Sequence, residues 1–195
     1  MNESQKIKLG DVADIVDSLH STPQYSSEGF PMVRVTDIKE GFLNLDNCYK
    51  VSQDTYNAFS KKYKAKEGDI VFSRVGSEGI PSLVKKSQVF CLGQNTVFIV
   101  PKEKNNWLYY WLISKAGKEQ IQKHTTGTTQ KTISLESIKN LEISLPPLSS
   151  QHRIASILSS FDNKIELLRK ENNTLENIAQ SIFKEWFVKY NFPNK

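Results

Sequence analysis

The chain has 195 residues and a mass of 22.3 kDa, with 26 Lys+Arg against 21 Asp+Glu, a formal charge of +5 and a pI near 9.1. Apolar residues make 38%, charged residues 24% and aromatics 10%, which excludes a disordered tail or fibrous repeat and leaves length for a buried core in one or two domains. The polar opening Met-Asn-Glu-Ser-Gln-Lys carries no secretory signal, and the longest apolar stretch, Trp107 to Ile113, falls well short of the about 20 residues of a membrane span. A cytoplasmic location is the expectation.

Taken in chain order, residues 1–147 read as mixed α and β. Residues 1–59 carry five basic and nine acidic side chains. Short apolar runs predict strands at Met32–Val35, Asp69–Phe72, Val89–Leu92 and Thr96–Val100, several of them followed by Gly or Pro. Ser52 is placed to cap a helix running to about Tyr63. Asn105 or Asn106 would open another, carrying Trp107, Tyr110 and Trp111 on one face. Their i, i+3, i+4 spacing marks core rather than a base-stacking platform. Long irregular joins at Ser18–Gly29 and Ser73–Ser82 are where recognition would sit. Within the second, Gly76-Ser77-Glu78-Gly79 reads as a flexible turn, not a cofactor loop.

Residues 60–131 hold thirteen basic and five acidic side chains, so the positive charge is concentrated in the middle third. Such a region suits a polyanion through phosphate neutralisation and counterion release; a lysine-rich solvated surface is the plainer reading.

At Leu145-Pro146-Pro147-Leu148 the character changes, because neither strand nor helix continues through two prolines. From Ser150 to Tyr190 there is no Pro or Gly, enough for a helix of roughly 60 Å at about 1.5 Å per residue. Ile154, Leu158, Phe161, Ile165, Leu168, Asn172, Leu175, Ala179, Ile182 and Trp186 are spaced alternately four and three apart. A sustained 3.5-residue period argues a coiled-coil seam for dimerisation, with Asn172 the single polar position able to set register. Flanking Ile157, Ile178 and Phe183 widen the apolar face beyond a two-helix seam, leaving room for helices of a partner.

Motifs for catalysis are missing. His20, His124 and His152 stand in separate contexts, and Cys48 and Cys91 form no Cys-x-x-Cys pair, so no metal site is expected and free thiols are the plain reading. No phosphate-binding glycine loop, Gly-x-Ser-x-Gly elbow or Asn/Asp-Pro-Pro-Tyr/Phe tetrad occurs. An Asp/Lys nuclease set can be drawn from Asp17, Asp37 and Lys39, a pattern that arises readily by chance in so charged a chain. The chain reads as non-catalytic, with no cofactor of its own.

The segment Ile143-Ser-Leu-Pro-Pro-Leu-Ser-Ser-Gln-His-Arg-Ile-Ala-Ser-Ile-Leu158, with Asp162-Asn-Lys-Ile-Glu166 and Leu175-Glu-Asn-Ile-Ala-Gln-Ser-Ile-Phe-Lys-Glu-Trp-Phe187, resembles the hinge and spacer helix of type I restriction-modification DNA specificity subunits. Upstream, Lys8-Leu-Gly-Asp-Val-Ala13, Ser21-Thr-Pro23, Val33-Arg-Val-Thr-Asp-Ile38, Gly68-Asp-Ile-Val-Phe-Ser-Arg74 and Gly127-Thr-Thr-Gln130 resemble pieces of their target recognition domain, in the family's order. One departure is Ser150-Gln151 where many relatives have Glu-Gln, which removes a helix-favouring acid at a cost of about half a kcal/mol. The other is length. Full-length relatives carry two recognition domains and two helices, whereas this chain ends at Asn191-Phe-Pro-Asn-Lys195, about where a second half would begin.

The resemblance implies an α+β fold: a recognition domain over 1–147, a long helix over 148–190 for dimerisation and methyltransferase docking, and a tail over 191–195. It implies a DNA-reading half-subunit that acts with methyltransferase and restriction/translocase subunits, which would hold the S-adenosylmethionine and the Mg/ATP. A homodimer through the long helix would read an interrupted inverted repeat in double-stranded DNA. Candidate DNA contacts are Arg74, Lys85 and Lys86 around the Ser73–Ser82 loop. Thr125, Gly127, Thr128, Thr129, Gln130 and Lys131 are further candidates, unless they form an ordinary polar turn. Ser21, Thr22, Arg34 and Thr36 complete the set, with Arg34 also placed to pair with Asp37. Two alternatives remain: a dimeric adaptor or inhibitor that does not read DNA, and the Asp/Lys nuclease.

Overall fold

The computed structural model describes residues 5–76, 79–86 and 88–193. The chain divides into two units, Met1–Ala155 and Ser156–Lys195.

The first unit is mixed α/β. Its centre is an antiparallel four-stranded sheet of β2 (Ala13–Asp17), β9 (Thr96–Pro101), β6 (Ile70–Ser73) and β7 (Pro81–Leu83), in that order. Side chains alternate across it. Ile70 and Phe72 on β6 and Val97 and Ile99 on β9 enter one core cluster; Val71 and Phe98 enter another on the opposite face. Both faces are covered, so β6 and β9 read as unbroken apolar runs instead of alternating ones.

The first face packs on α3 (Trp107–Ile113), α4 (Lys115–His124) and α5 (Leu135–Lys139). The other is closed by residues of β4 (Phe30–Val33) and β8 (Cys91–Leu92), which belong to a second sheet ordered β3 (Tyr25–Ser26), β5 (Tyr49–Val51), β4, β8. Only the β4–β8 pair in that sheet is parallel. The helix α2 (Gln53–Phe59) covers it, with Tyr56 stacked on Phe30 at 4.4 Å between ring centres. A two-stranded ribbon of β1 (Gln5–Lys8) and β10 (Glu142–Leu145), with the short α1 (Leu9–Val12) between β1 and β2, brings the two ends of the unit together.

Several expected boundaries move. The Ser52 cap forms, accepting from the Thr55 N–H at 3.3 Å, but α2 stops at Phe59 because Tyr63 turns inward to donate its hydroxyl to Asp69 at 2.8 Å. The strand expected at Val89–Leu92 is only Cys91–Leu92. Ahead of it Gln88 accepts from the Lys85 N–H and donates to the Leu43 carbonyl, holding a turn that leaves Val89 exposed. On α3 the expectation of one buried face was too narrow, since all six residues from Trp107 to Leu112 are buried. Asn105 Oδ1 accepts from the Trp107 N–H, and Gln151 binds Asn105 at 3.1 Å and the Pro146 carbonyl at 2.9 Å.

The long helix α6 begins at Leu148, right after the double proline, and runs to Phe183. Its opening residues through Ala155 belong to the first unit, where Ala155 is buried. In the second unit the α-helix gives way to a π turn, Lys184–Val188, closed by Lys189 N–H donating to the Lys184 carbonyl at 2.9 Å. Trp186, the last expected seam position, falls in that turn and not in a continuous α-helix. Among the described residues, no helix is long and apolar enough to cross a membrane.

Candidate nucleic-acid interface

Four separate stretches of sequence meet at one end of the central sheet. The Arg74 N–H at the end of β6 donates to Asn95 O at 2.8 Å, and the Gly76 N–H donates to Lys131 O at 3.1 Å. The Ile133 N–H returns a bond to Arg74 O at 2.9 Å, and Val75 bridges Thr132. Gly76 lies close enough to the Arg34–Asp37 turn that a Cβ on it would be 3.8 Å from Val35. An open cleft of about 290 Å³ at this place is walled by Pro23 and Tyr25, by Arg34 to Thr36, and by Gly93 to Asn95.

Arg34 on the cleft wall and Arg74 beside it each hold a carboxylate. Arg34 donates from its backbone N–H, Nε and Nη2 to Asp37 at 2.9, 3.0 and 2.9 Å, and its guanidinium stacks 3.8 Å above the Tyr49 ring. The hydrogen bonds to Asp37 raise the Arg34 pKa above its ordinary value, so it is charged at every accessible pH. Arg74 donates to Asp17 at 3.2 Å and to Ile133 O at 3.3 Å, while Asp17 also holds His20 at 2.8 Å. These pairs fix the turn backbones; Arg34 is a rigid wall of the cleft, and Arg74 ties the strands behind it.

The segment from Thr125 to Lys131 is a closed polar turn. Thr126 and Thr132 exchange both backbone hydrogen bonds, at 2.9 and 2.8 Å, and between them Thr128, Thr129 and Gln130 are exposed. Gly127 takes a φ of 99°, and a Cβ there would sit 2.3 Å from Gln130 O, so glycine is required for closure. Ser21 and Thr22 are exposed in the loop leading to Pro23 and the cleft. Thr36 presents an exposed side chain on the cleft wall itself.

Lys85 and Lys86 are not part of this grouping. The β6–β7 register pairs Phe72 with Pro81 and Ile70 with Leu83, so Lys85 and Lys86 follow the far end of the hairpin from Arg74. The Lys85 ammonium lies 4.9 Å over the Phe42 ring instead. Sequence proximity to one loop suggested a single group, and the antiparallel hairpin separates its two ends. Of that loop, Ser77 and Glu78 lie outside the described residues.

Part of the basic middle segment is internally neutralised. Lys104 pairs with fully buried Asp69, Lys118 with Glu40 at 2.7 Å and Lys115 with Glu119 at 3.9 Å. The nuclease set fares likewise: Asp17 is held by Arg74 and His20, Asp37 by Arg34. Among the described residues no group of three or more His, Cys, Asp or Glu is arranged to hold a metal ion.

Some cleft residues had no marker in sequence. Tyr25 and Tyr49 meet edge to face at 4.9 Å and are each about half exposed, although they lie far apart in the chain. Gln94 and Asn95 occupy a tight turn that reads in sequence merely as a polar strand boundary.

On the long helix, nine of the ten seam positions are exposed and Trp186 is half-buried, so the 3.5-residue stripe lies open among the described residues. Flanking Ile157 and Ile178, each 50% exposed, widen it.

The family model of the type I restriction modification DNA specificity domain matches residues 1–177. A putative specificity subunit of the type I restriction enzyme MjaX from Methanocaldococcus jannaschii is 28% identical over 197 residues, covering 96% of this chain and 46% of that protein. The EcoBI specificity subunit of Escherichia coli is 26% identical over 167 residues, covering 82% of this chain and 35% of its own length. In three dimensions the chain is similar to the type I restriction-modification S subunit of M. genitalium. The TM-score is 0.69 at 21% identity, over 96% of this chain and 46% of that one, a likeness of fold. The chain thus spans about half the length, or less, of these relatives.

Proposed function

The chain belongs to the type I restriction-modification DNA specificity family, and from that premise we propose that it is a DNA-reading half-subunit which dimerises through its long helix. Each copy supplies one recognition domain. The pair directs methyltransferase and restriction/translocase subunits to an interrupted inverted repeat, and itself performs no chemistry. S-adenosylmethionine, Mg and ATP belong to those partners.

The observation that carries this reading is the uncovered stripe on α6. A 3.5-residue apolar repeat from Ile154 to Trp186, exposed at nine of ten positions, is stable in water only against another helix. Span supports a second copy as that helix, since relatives about twice as long hold the equivalent of this chain in less than half their length. The meeting of Arg34, Thr36, Arg74 and the Thr125–Lys131 turn at one end of the sheet supports a recognition surface. Two copies related by a two-fold axis present identical surfaces, which is why the target is expected to be an inverted repeat.

The test is the solution mass of the chain by sedimentation or light scattering, beside the Leu168→Glu, Leu175→Glu double variant. A mass near twice 22.3 kDa that falls to the monomer in the variant supports the dimer. A stable wild-type monomer would show that the stripe awaits another protein, and the inverted-repeat target would be lost with it. If the complex with methyltransferase shows no salt-dependent, sequence-selective DNA binding, the adaptor or inhibitor reading replaces this one.

A further inference from the structure

We infer that the Gln94–Asn95 turn between β8 and β9 is a base-reading tip, and that its side-chain amides select adenine within each half of the target. The inference rests on the DNA-reading function proposed above and names where one part of its specificity resides.

The turn is rigid. The Gly93 N–H donates to Val33 O at 2.8 Å, Thr96 Oγ1 donates to Gly93 O at 2.7 Å, and the Arg74 N–H donates to Asn95 O at 2.8 Å. Asn95 is locked at a φ of 62°. Against this fixed backbone both side chains are exposed on the cleft wall, and neither amide makes a hydrogen bond to a described residue.

Among the side chains that line the cleft, these two amides are the ones suited to adenine. A guanidinium reads guanine by presenting two N–H groups to O6 and N7; Arg34 on the cleft wall already gives its Nε and Nη2 to Asp37, which fixes the direction of the N–H groups it has left and makes it a guanine reader if it reads at all. Thr36 offers one hydroxyl, enough to position but too little to discriminate. A carboxamide donates and accepts in one plane, matching the N6 donor and N7 acceptor that adenine shows in the major groove. An amide held on a stiff turn, with no internal partner to leave, meets the edge without losing an existing bond.

The test uses the chain assembled with its methyltransferase subunit and a randomised duplex DNA library, with bound duplexes sequenced. Gln94→Ala removes one amide from an exposed site, and Asn95→Gly removes the other while keeping the positive φ, so both variants fold. The expected result is that wild type recovers an interrupted inverted repeat and that one or both variants recover the same repeat with an A·T preference weakened roughly tenfold or more at one position in each half. Recovery of an unchanged motif by both variants would overturn the inference and leave the DNA-reading function standing. A uniform loss of affinity across all sequences would also overturn it, because that marks a backbone contact. A wild-type complex that recovers no motif would overturn the function itself, and this inference with it.

Discussion

Arg74 is held by a carboxylate 57 residues away in sequence and by a carbonyl 59 away, while its own backbone bridges Asn95 and Ile133. Its first effect is therefore on this end of the domain as a structure. Arg74→Ala leaves Asp17, among the described residues, with His20 alone and should cost about 2 kcal/mol, read as a lower urea midpoint at unchanged m-value. Arg74→Lys keeps the charge but loses the fork that reaches Asp17 and Ile133 together, so it should recover less than half of that loss. Composition singled out Arg74 as a cation beside a flexible loop, but nothing in sequence tied it to Asp17, because pairings over such distances follow from strand order. The thiols give a second residue-scale expectation. Burial pushes Cys91 up to about 12, and burial with the Asp37 carboxylate nearby pushes Cys48 up to about 11. Their thiolates are then on the order of one in a thousand or fewer at pH 8; buried Cys91 should react with a disulfide reagent only after denaturation, and partly exposed Cys48 more slowly than a free thiol. Rapid labelling of both thiols in the native chain would contradict this.

Elements were legible where the pattern is local. The long helix after the double proline, the Ser52 cap and the apolar runs of β6 and β9 are all written within a few neighbouring residues, and the structure has each of them. Strands β1 and β10 were not foreseen, since Gln5–Lys8 and Glu142–Leu145 gain strand character from each other across more than 130 positions. The Thr125–Lys131 turn was seen as polar, and its closure depends on one glycine. Gly127→Ala would strain a φ of 99° and drive a Cβ onto Gln130 O. The expected cost is about 2 kcal/mol, a fall in Tm of roughly 4–8 °C, measurable by calorimetry. At the far end of the helix, Lys189 and Asn191 donate to the Glu185 carboxylate, Lys189 being the stronger influence, and lower its pKa from the ordinary 4.5. A lowered carboxylate stabilises the turn above its ordinary pKa and ceases to as pH falls through the lowered value. The protection factors of the amides from Lys184 to Asn191, with the intrinsic pH dependence of exchange divided out, should therefore fall as pH drops through that lowered value, while those of α2 hold. Protection factors in that segment that stay unchanged as the carboxylate is protonated would remove Glu185 from the account.

At the scale of the molecule, charge and symmetry make separate demands. The positive charge is concentrated in the middle segment, thirteen basic against five acidic residues, where Lys61, Lys62 and Lys64 are exposed, whereas Lys104, Lys115 and Lys118 are balanced by Asp69, Glu119 and Glu40. Phosphate attraction by such lysines carries no sequence information, so it should weaken steeply with salt for any duplex alike. Discrimination, by contrast, depends on how two readers are related. In the proposed dimer the second recognition domain is the first rotated by 180°, and it meets its bases in the right orientation only if the second half-site is inverted. Reversing one half-site to make a direct repeat keeps every base, the spacing and the phosphates, yet presents one reader with its sequence backwards. Its affinity for the assembled complex should fall to that of a duplex in which the same half-site has been scrambled, at every salt concentration. If the direct repeat instead bound as tightly as the inverted one, the two recognition domains would not be related by a two-fold axis. The exposed stripe on α6 would then have to be covered by something other than a second copy of this chain.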